Sequence, residues 1–367
     1  MTSGGGDGAA SGAAGPEGDA GRIHRRARVF DGHNDVALRL RDDPADGPRP
    51  GGHLDPDRMR EGGLDGGIFA VWIDPGGERP LERALEGVGR LLAWLEADPA
   101  MRPVRTADEL DAAADDGDIA AVVGVEGGYA VGEDPAAVDR LFGAGVRCLT
   151  LTWMEHTAWA DAAGPEPRHG GLTALGHRVV DRTRALGMAV DVSHAADATV
   201  EDVLARGDGP VIASHGATRA LADLPRNLPD RLLAGIGEAG GVAGIDFFPG
   251  HLDAAWGRRY EAARRELGPE LHSPEGREAL ARRTSDLPPV GLERVADHLE
   301  HVLETAGPRG AGLGSDFDGV PLLAEGMDDV ADLPRLTAVL TERGLSEDVL
   351  RGLLGGNFLR VLGEVLP

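Results

Sequence analysis

The chain has 367 residues, of which 41% are hydrophobic and 27% are charged, a composition typical of soluble globular proteins. Its 62 acidic residues outnumber the 37 basic ones, and the resulting net charge of −25 argues against nucleic acid and anionic membranes as partners, because both are bound through clustered basic side chains. All 37 basic residues are arginine, so a carbamylated lysine is excluded and any bridge between two metal ions must be a carboxylate.

Residues 1–22 are predicted to form a disordered tail. The stretch MTSGGGDGAASGAAGPEGDAG is rich in Gly and Ala, lacks an apolar core and has no basic start, so we do not expect a signal peptide. No apolar run approaches the length of a membrane span, and the single cysteine, Cys148, permits no intramolecular disulfide. These features predict a cytoplasmic protein.

Residues 23–367 are expected to form one domain built on eight strands. Eight short apolar runs, rich in β-branched residues or Gly, are typical of strands buried on both faces of a parallel sheet. They are residues 27–32, 66–73, 119–128, 146–153, 188–194, 210–215, 241–248 and 312–319. Amphipathic segments such as 81–97 and 172–187 predict helices between them.

This alternation predicts a (β/α)8 TIM barrel in preference to a doubly wound open sheet. Residues 249–290 are charged and irregular in pattern, and we interpret them as an insertion after strand seven. A last helix is expected around residues 346–365.

Polar residues concentrate where the predicted strands end. In a barrel of this type the active site lies at the carboxyl ends of the strands, so these side chains are expected to converge on one mouth. His33 and Asp35 follow strand one, and their spacing of two directs both side chains to the same face of a strand. The other polar or aromatic residues at or just after strand ends are Glu126, Trp153, His156, His194, His215, Asp246, Asp316 and Asp318.

Each of these residues also has an ordinary structural explanation. Taken without the others, His33 and Asp35 are an ordinary polar pair at a strand end. Glu126 or Asp316, taken singly, is an ordinary cap of a turn or helix. Random placement would not put so many His, Asp and Glu residues at strand ends. Together they predict a metal centre.

The types of candidate ligand narrow the choice of metal. Imidazoles mixed with carboxylates, without thiolates, favour Zn²⁺, with Mn²⁺, Fe²⁺ or Co²⁺ as alternatives. The candidates exceed the three ligands of one tetrahedral catalytic zinc, and they predict two metal ions about 3.5–4 Å apart that share a bridging carboxylate and a bridging water. The expected reaction class is metal-assisted hydrolysis of an amide or an ester.

A series of motifs in order along the chain points to a known family. The motifs are DGHND, GGIFAVW, GVEGG, LTLTW…WAD, GLTALGHRVVDRTRALGMAVDVSH, ASH…PRNLPD, GSDFDG and GGNFLRVL. From about residue 28 to the C-terminus, the chain resembles the membrane (renal) dipeptidase family of zinc-dependent dipeptidases, within the amidohydrolase-like barrels. The resemblance implies a homodimer that cleaves small dipeptides, including those with a C-terminal D-residue, by a metal-bridging hydroxide.

The resemblance also implies how two zinc ions would be held. One zinc would bind His33 and Asp35, and the second would bind His194 and His215. Glu126 would bridge both ions and thereby take part in catalysis.

Further residues acquire roles by the same resemblance. Asp316 would handle protons during hydrolysis, and Arg226 in PRNLPD would hold the terminal carboxylate of the substrate through its guanidinium fork. Where several relatives have a strand-four histidine that contacts the substrate carbonyl, this chain has Trp153. Either His156 partly supplies that donor, or Trp153 lines the substrate pocket and the metal ions alone stabilise the oxyanion.

Two other functions stay open at this point. The altered strand-four motif also suits an amidohydrolase acting on an N-acyl amino acid or a biosynthetic intermediate. A catalytically silent barrel that binds a peptide is the third possibility, although a silent protein has no chemical need for a complete set of metal ligands.

Overall fold

The computed structural model describes residues 18–43 and 46–367, so most of the predicted tail lies outside the described residues. The end of that tail, however, is helical: α1 spans Asp19–Arg26 and buries Ile23 and His24. The two ring nitrogens of His24 lie 2.7 Å from Thr337 Oγ1 and 2.9 Å from the carbonyl oxygen of Gly62. These long-range contacts are why residues 19–22 fold onto the domain, in contrast to their sequence prediction.

The described residues form nine parallel strands. They are β1 (Val29–Asn34), β2 (Leu64–Trp72), β3 (Met101–Val104), β4 (Ile119–Glu126), β5 (Cys148–Thr150), β6 (Ala189–Asp191), β7 (Ile212–Ala213), β8 (Val242–Ile245) and β9 (Ala311–Leu313). Eight of them close into a ring in the order β1-β2-β4-β5-β6-β7-β8-β9, in which β2 pairs with β4 and β9 pairs with β1. The predicted (β/α)8 barrel is confirmed, and each of these strands falls within or overlaps a predicted run.

The additional strand β3 has no counterpart in the prediction. It pairs with the first half of β4, whereas β5 pairs with the last three residues of β4. Its sequence, MRPV, is too short and too polar to show the apolar run of a barrel strand.

Helices follow most strands and cover the outside of the barrel. They are α2 (Pro56–Glu61), α3 (Pro80–Ala97), α4 (Ala107–Asp116), α5 (Ala137–Gly143), α6 (Ala174–Ala185), α7 (Asp197–Ala205), α8 (Asp230–Glu238), α9 (Pro249–Leu252), α10 (Ala254–Leu267), α11 (Pro274–Thr284), α12 (Leu292–Ala306), α13 (Leu333–Glu342), α14 (Glu347–Arg351) and α15 (Asn357–Val365). The predicted helices at 81–97 and 172–187 correspond to α3 and α6.

The predicted last helix is two helices joined by a π-turn at Gly352–Gly356. The turn lies against β1, where a Cβ atom on Gly355 would meet the carbonyl oxygen of Arg28 at 2.1 Å. Beyond the turn, α15 directs Phe358 into the bottom of the barrel. There it joins a buried apolar cluster that includes Phe30, Ile68, Val122, Cys148 and Ile212.

The insertion after β8 is helical and not irregular. Asp253 caps α10 by accepting the N–H groups of Ala255 and Trp256, each at 2.9 Å, and Ser273 caps α11. The ring of Tyr260 on α10 packs edge-on against Phe248, with centroids 4.7 Å apart. Because many residues of this segment are charged, the few residues that pack against the barrel do not form a recognisable apolar pattern in the sequence.

Candidate metal centre and substrate cavity

Six buried polar residues from five strands meet at the carboxyl end of the barrel. They are His33, Asp35, Glu126, His194, His215 and Asp316. His194 and Asp316 have φ values of 65° and 59°, a left-handed conformation that non-glycine residues seldom adopt. Such backbone conformations cost free energy and cluster at functional sites, so they support a functional reading of these two turns.

Glu126 lies between two groups of histidines. Its Oε1 atom is 3.0 Å from Nε2 of His194 and 3.6 Å from Nε2 of His215. Its Oε2 atom faces the other way, 3.8 Å from Nε2 of His33, which is itself 3.5 Å from Asp35 Oδ2. One carboxylate therefore presents a separate oxygen to each group.

Several polar atoms in this cluster are buried without a hydrogen-bond partner. They include His33 Nε2, Asp35 Oδ1 and His194 Nδ1. The Nε2 atoms of His194 and His215 also face each other at 2.8 Å. Buried polar atoms are normally satisfied, and three overlapping ligand groups here each keep their ligand atoms within 4.8 Å of one another. The donor set fits divalent metal ions.

The charges of the cluster are poorly balanced by protein groups alone. Burial, together with the neighbouring Asp35, raises the pKa of Glu126 well above its ordinary value. Burial also raises the pKa of Asp316 to about 7. Burial by itself lowers the pKa of His33, but the carboxylates of Glu126 and Asp35 outweigh it and raise that pKa to about 10. An excess of buried negative charge is what a bound cation would neutralise.

Behind the cluster, two aspartates that the sequence analysis missed orient the ligands. The Asp191 carboxylate accepts the Ser214 hydroxyl at 2.7 Å, so that hydroxyl oxygen is left to accept a hydrogen bond from Nδ1 of His215 at 3.0 Å. This fixes the tautomer that turns the Nε2 lone pair of His215 toward Glu126. Asp31 accepts the N–H and the hydroxyl of Ser315, at 2.7 Å each, and so holds the turn that carries Asp316. Asp31 and Asp191 each place a carboxylate within an otherwise apolar strand, and this is the sequence signal that could have identified them.

The cluster opens into a cavity with two lobes. The first lobe has a volume of about 550 Å³. It is lined by Trp72, Arg39 and residues of the cluster, among them Asp35 and Glu126. The second has a volume of about 430 Å³ and is lined by Arg226 and Phe248 among others. Trp153, His194, Asp316, Gly319 and Val320 line both lobes.

Asp318 is in the wall of the first lobe, and one oxygen of its carboxylate is held by protein groups. Its Oδ1 atom accepts the N–H of His53 at 2.7 Å and lies 3.3 Å from a guanidinium nitrogen of Arg39. Its side chain is only 1% exposed. Asp318 therefore links the turn after β9 to His53 and Arg39.

The two predicted substrate-binding residues both line the cavity. Arg226 is in the second lobe, where it donates a hydrogen bond to the carbonyl oxygen of His215 at 3.1 Å. The Trp153 ring lies at the junction of the lobes, edge-on to Trp72 with centroids 5.0 Å apart and 6.3 Å from the His194 ring. Both positions are compatible with contact to a bound substrate.

His156, in contrast, lines neither lobe. Its Nδ1 atom accepts the N–H of Ala162 at 3.1 Å, and its Nε2 atom lies 2.9 Å from the carbonyl oxygen of Glu166. With both ring nitrogens bound to the backbone of the following loop, His156 has none to offer a substrate. These contacts favour the alternative in which Trp153 lines the substrate pocket, and the role of His156 stays a prediction for mutagenesis to test.

The structure brings an unexpected histidine to the second lobe. His251 lines it, and its Nδ1 atom lies 2.7 Å from Oδ2 of the fully buried Asp246. The pair is next to Asp316, with ligand atoms of all three residues within 4.8 Å. Asp246 lies at a predicted strand end, whereas His251 lies five residues further on, beyond the positions where strand-end side chains are expected.

A (β/α)8 barrel with a buried cluster of imidazoles and carboxylates at its carboxyl end has the architecture of a metal-dependent barrel hydrolase. Comparison with known proteins agrees with this class. Residues 18–366 match the membrane dipeptidase family, peptidase family M19. The chain belongs to this family, as the motif resemblance implied, and membership implies a metal cofactor.

Individual relatives give the same result. The chain is 35% identical over 262 residues to dipeptidase verJ of Clonostachys rogersoniana, covering 71% of this chain and 59% of that protein. It is 30% identical over 351 residues to dipeptidase 3 of Mus musculus, covering 92% of this chain and 64% of that protein. The match therefore spans less than two thirds of the length of either relative.

A solved structure is also similar over most of the chain. A metallopeptidase from Rhodobacter sphaeroides, liganded with a phosphinate mimic of the dipeptide L-Ala-D-Ala, is 29% identical. It superposes with a TM-score of 0.77, and the match covers 93% of this chain and 99% of that one.

The family membership corrects one expectation. Because the family is that of the membrane dipeptidases, the prediction of a cytoplasmic protein is wrong. Among the helices in residues 18–43 and 46–367, none combines the length and the apolar composition needed to cross a membrane.

Proposed function

We propose that this chain is a dipeptidase that holds two zinc ions and hydrolyses dipeptides, including those with a C-terminal D-residue. The observation that carries the proposal is the position of Glu126. Its two carboxylate oxygens face different histidine groups at 3.0 Å and 3.8 Å, which is the arrangement expected of a carboxylate that bridges two metal ions.

The residues around Glu126 divide into two sets of ligands. His33 and Asp35 would hold one zinc ion, and His194 and His215 the other. When bound, a zinc pair lowers the pKa of water and polarises a carbonyl group, which is the chemistry that amide hydrolysis requires.

The remaining polar residues suit the other needs of the reaction. Asp316 lines both lobes next to the ligand cluster, a position that suits a carboxyl group that passes a proton to a leaving amine. Arg226, in the second lobe, provides a guanidinium for the terminal carboxylate of a dipeptide. Trp153 then lines the pocket where the strand-four histidine of some relatives would stand.

The proposal that C-terminal D-residues are accepted rests on the second lobe. Arg226 places the C-terminal residue of the substrate there, and the lobe volume of about 430 Å³ leaves room for a side chain in either configuration. The Rhodobacter sphaeroides relative binds a mimic of L-Ala-D-Ala, which supports the same substrate geometry.

The proposal is tested by metal analysis and by a panel of dipeptide substrates. We expect about two zinc ions per chain, and hydrolysis of L-Ala-L-Ala and L-Ala-D-Ala by the zinc-loaded protein. Glu126→Gln should lose both metal stoichiometry and activity. Absence of hydrolysis for every dipeptide in the panel would contradict the proposal, and absence of bound metal even after reconstitution would indicate a silent barrel.

A second candidate is an amidohydrolase acting on N-acyl amino acids. The observation that favours it is Trp153, whose aromatic ring stands at the junction of the lobes in place of a polar donor. Hydrolysis of N-acetylated amino acids, without hydrolysis of free dipeptides, would distinguish this function from the first.

A further inference from the structure

The insertion helix α10 forms one wall of the second lobe. The five α10 residues that line the lobe follow the spacing i, i+3, i+4, i+7 and i+8, which is one face of an α-helix. They are Gly257, Tyr260, Glu261, Arg264 and Arg265. We call this set the α10 face.

The α10 face is held firmly against the barrel. Asp253 caps the helix, and Tyr260 packs on Phe248. At Gly257 the helix comes so close to α9 that a Cβ atom would meet the carbonyl oxygen of Gly250 at 2.4 Å. The helix that carries the two arginines is therefore held against the barrel.

The charges on this wall do not balance. Nε of Arg264 lies 3.3 Å from Oε2 of Glu261, so these two charges largely offset one another. Arg265 is exposed, and within the described part of the chain it has no hydrogen-bond or ion-pair partner. The lobe thus has one unmatched guanidinium beyond Arg226, in a protein whose net charge of −25 would otherwise repel an anionic substrate.

We propose that the second lobe selects dipeptides whose C-terminal residue has an acidic side chain. Arg226 binds the main-chain carboxylate of that residue, and Arg265 binds the side-chain carboxylate. The assignment rests on the proposed dipeptidase function and names its substrate class. A guanidinium suits the task because it forms bidentate, charge-assisted hydrogen bonds with a carboxylate.

The test compares pairs of substrates that differ only in charge. We expect kcat/KM for L-Ala-L-Asp to exceed that for the near-isosteric L-Ala-L-Asn by about tenfold at low salt, and the preference to shrink as salt is added. The same comparison with L-Ala-D-Asp and L-Ala-D-Asn shows whether the preference holds for both configurations.

Two variants test whether Arg265 causes the preference for Asp over Asn. Arg265→Gln should reduce the Asp-to-Asn ratio to about twofold or less, by removing one charge-assisted contact. Arg258→Gln is the matched control, because Arg258 is an exposed arginine of the same helix that does not line the lobe. It should leave the ratio as in the wild type.

An Asp-to-Asn ratio near one in the wild type would overturn the proposal, as would a ratio that Arg265→Gln leaves unchanged. Hydrolysis of the neutral dipeptides reports separately on the dipeptidase function. If no dipeptide is cleaved, calorimetric binding of aspartate and asparagine to the native protein still decides the matter, since neither amino acid contains a peptide bond. Equal affinities would overturn the proposal, and tighter binding of aspartate, weakened by Arg265→Gln, would support it.

Discussion

The imidazole of His215 owes its orientation to two residues behind it. Asp191 accepts the hydroxyl proton of Ser214, which leaves the Ser214 oxygen to accept from Nδ1 of His215. Orientation of a ligating histidine through its second nitrogen is a common requirement of metal sites. The sequence motif DVSH does not reveal this, because Ser214 follows the next strand, β7, and contacts Asp191 only when β6 and β7 are paired.

His156 shows the opposite situation, a histidine used for structure. We expect His156→Ala to lower the free energy of unfolding by about 1–3 kcal/mol, because the Ala162 N–H and the Glu166 carbonyl lose their partner. The effect on kcat/KM should stay within a few-fold. Urea denaturation and steady-state kinetics measure the two quantities.

His301→Ala serves as the control, because it removes a single contact with the exposed Asp230, and the expected change in unfolding free energy is within about 1 kcal/mol. If His156→Ala lowers kcat/KM by about 100-fold without loss of stability, His156 takes part in the reaction and this prediction is wrong.

At the scale of elements, the insertion helices form part of the cavity wall. Helices α10 and α11 contribute Arg264, Arg265 and Arg277 to the two lobes, whereas the candidate metal ligands come from the strand ends. The sequence correctly places this segment after the seventh predicted strand, which is β8 of the structure, but it does not reveal that the segment is helical. Its caps and its aromatic contact with Phe248 are tertiary features.

The N-cap of α10 offers a test of this division. Asp253→Ala removes the acceptor for two N–H groups and should destabilise the protein by about 1 kcal/mol. Because the frayed helix no longer holds the α10 face in place, KM for an acidic dipeptide should rise more than kcat falls. Asp253→Asn, which keeps a capping oxygen, should restore most of the effect. A fall in kcat with KM unchanged would contradict this prediction.

His298 makes an element-scale prediction about pH. This buried residue of α12 accepts the N–H of Thr218 at Nδ1, 3.1 Å away, and its Nε2 lies 2.9 Å from the carbonyl oxygen of Leu252. Burial lowers its pKa from 6.5 to about 4. The unfolded chain therefore binds the proton more readily than the folded one, so stability is lost as pH falls from about 6.5 to about 4.

The expected loss from His298 alone is about 3 kcal/mol of unfolding free energy, since one pKa unit corresponds to about 1.4 kcal/mol. The measurement is urea denaturation between these pH values, compared with His298→Gln, which has no titrating group. The stability difference between wild type and variant should narrow as pH falls. A difference that is constant across this range would show that His298 is not the group responsible.

At the scale of the whole molecule, closure of the barrel gathers acidic groups from distant parts of the chain. Asp35, Glu126 and Asp316 are buried together, although they come from β1, β4 and β9. Mutual repulsion of buried carboxylates destabilises the fold unless a cation neutralises them. Metal binding should consequently stabilise the entire domain and not only its mouth.

Metal removal should therefore lower the melting temperature by several degrees. A free metal concentration 1,000-fold above the dissociation constant adds about 4 kcal/mol to the stability of a protein that binds metal only when folded. Calorimetry before and after chelation measures the shift, and added zinc should reverse it. Glu126→Gln should respond much less to the chelator. An unchanged melting temperature in protein shown to have lost its metal would contradict the prediction.

The sequence by itself determined the barrel and the positions of its candidate ligands. Eight buried parallel strands leave a strong local pattern of apolar runs, and the barrel topology then places every carboxyl strand end at one rim. His33, Glu126 and His215 were therefore predicted to converge although they are far apart in the chain. Their roles as ligands stay predictions for metal analysis to test.

Only the tertiary structure decided which polar residues face the cavity. His156 and His251 both lie a few residues beyond a strand end, yet one is bound to its own loop and the other lines the second lobe. Loop direction depends on long-range contacts, such as that of His251 with the buried Asp246, and these contacts leave no periodic signal in the sequence. The α10 face was hidden for the same reason, because the contacts that position it, of Tyr260 with Phe248 and of Gly257 with Gly250, are tertiary.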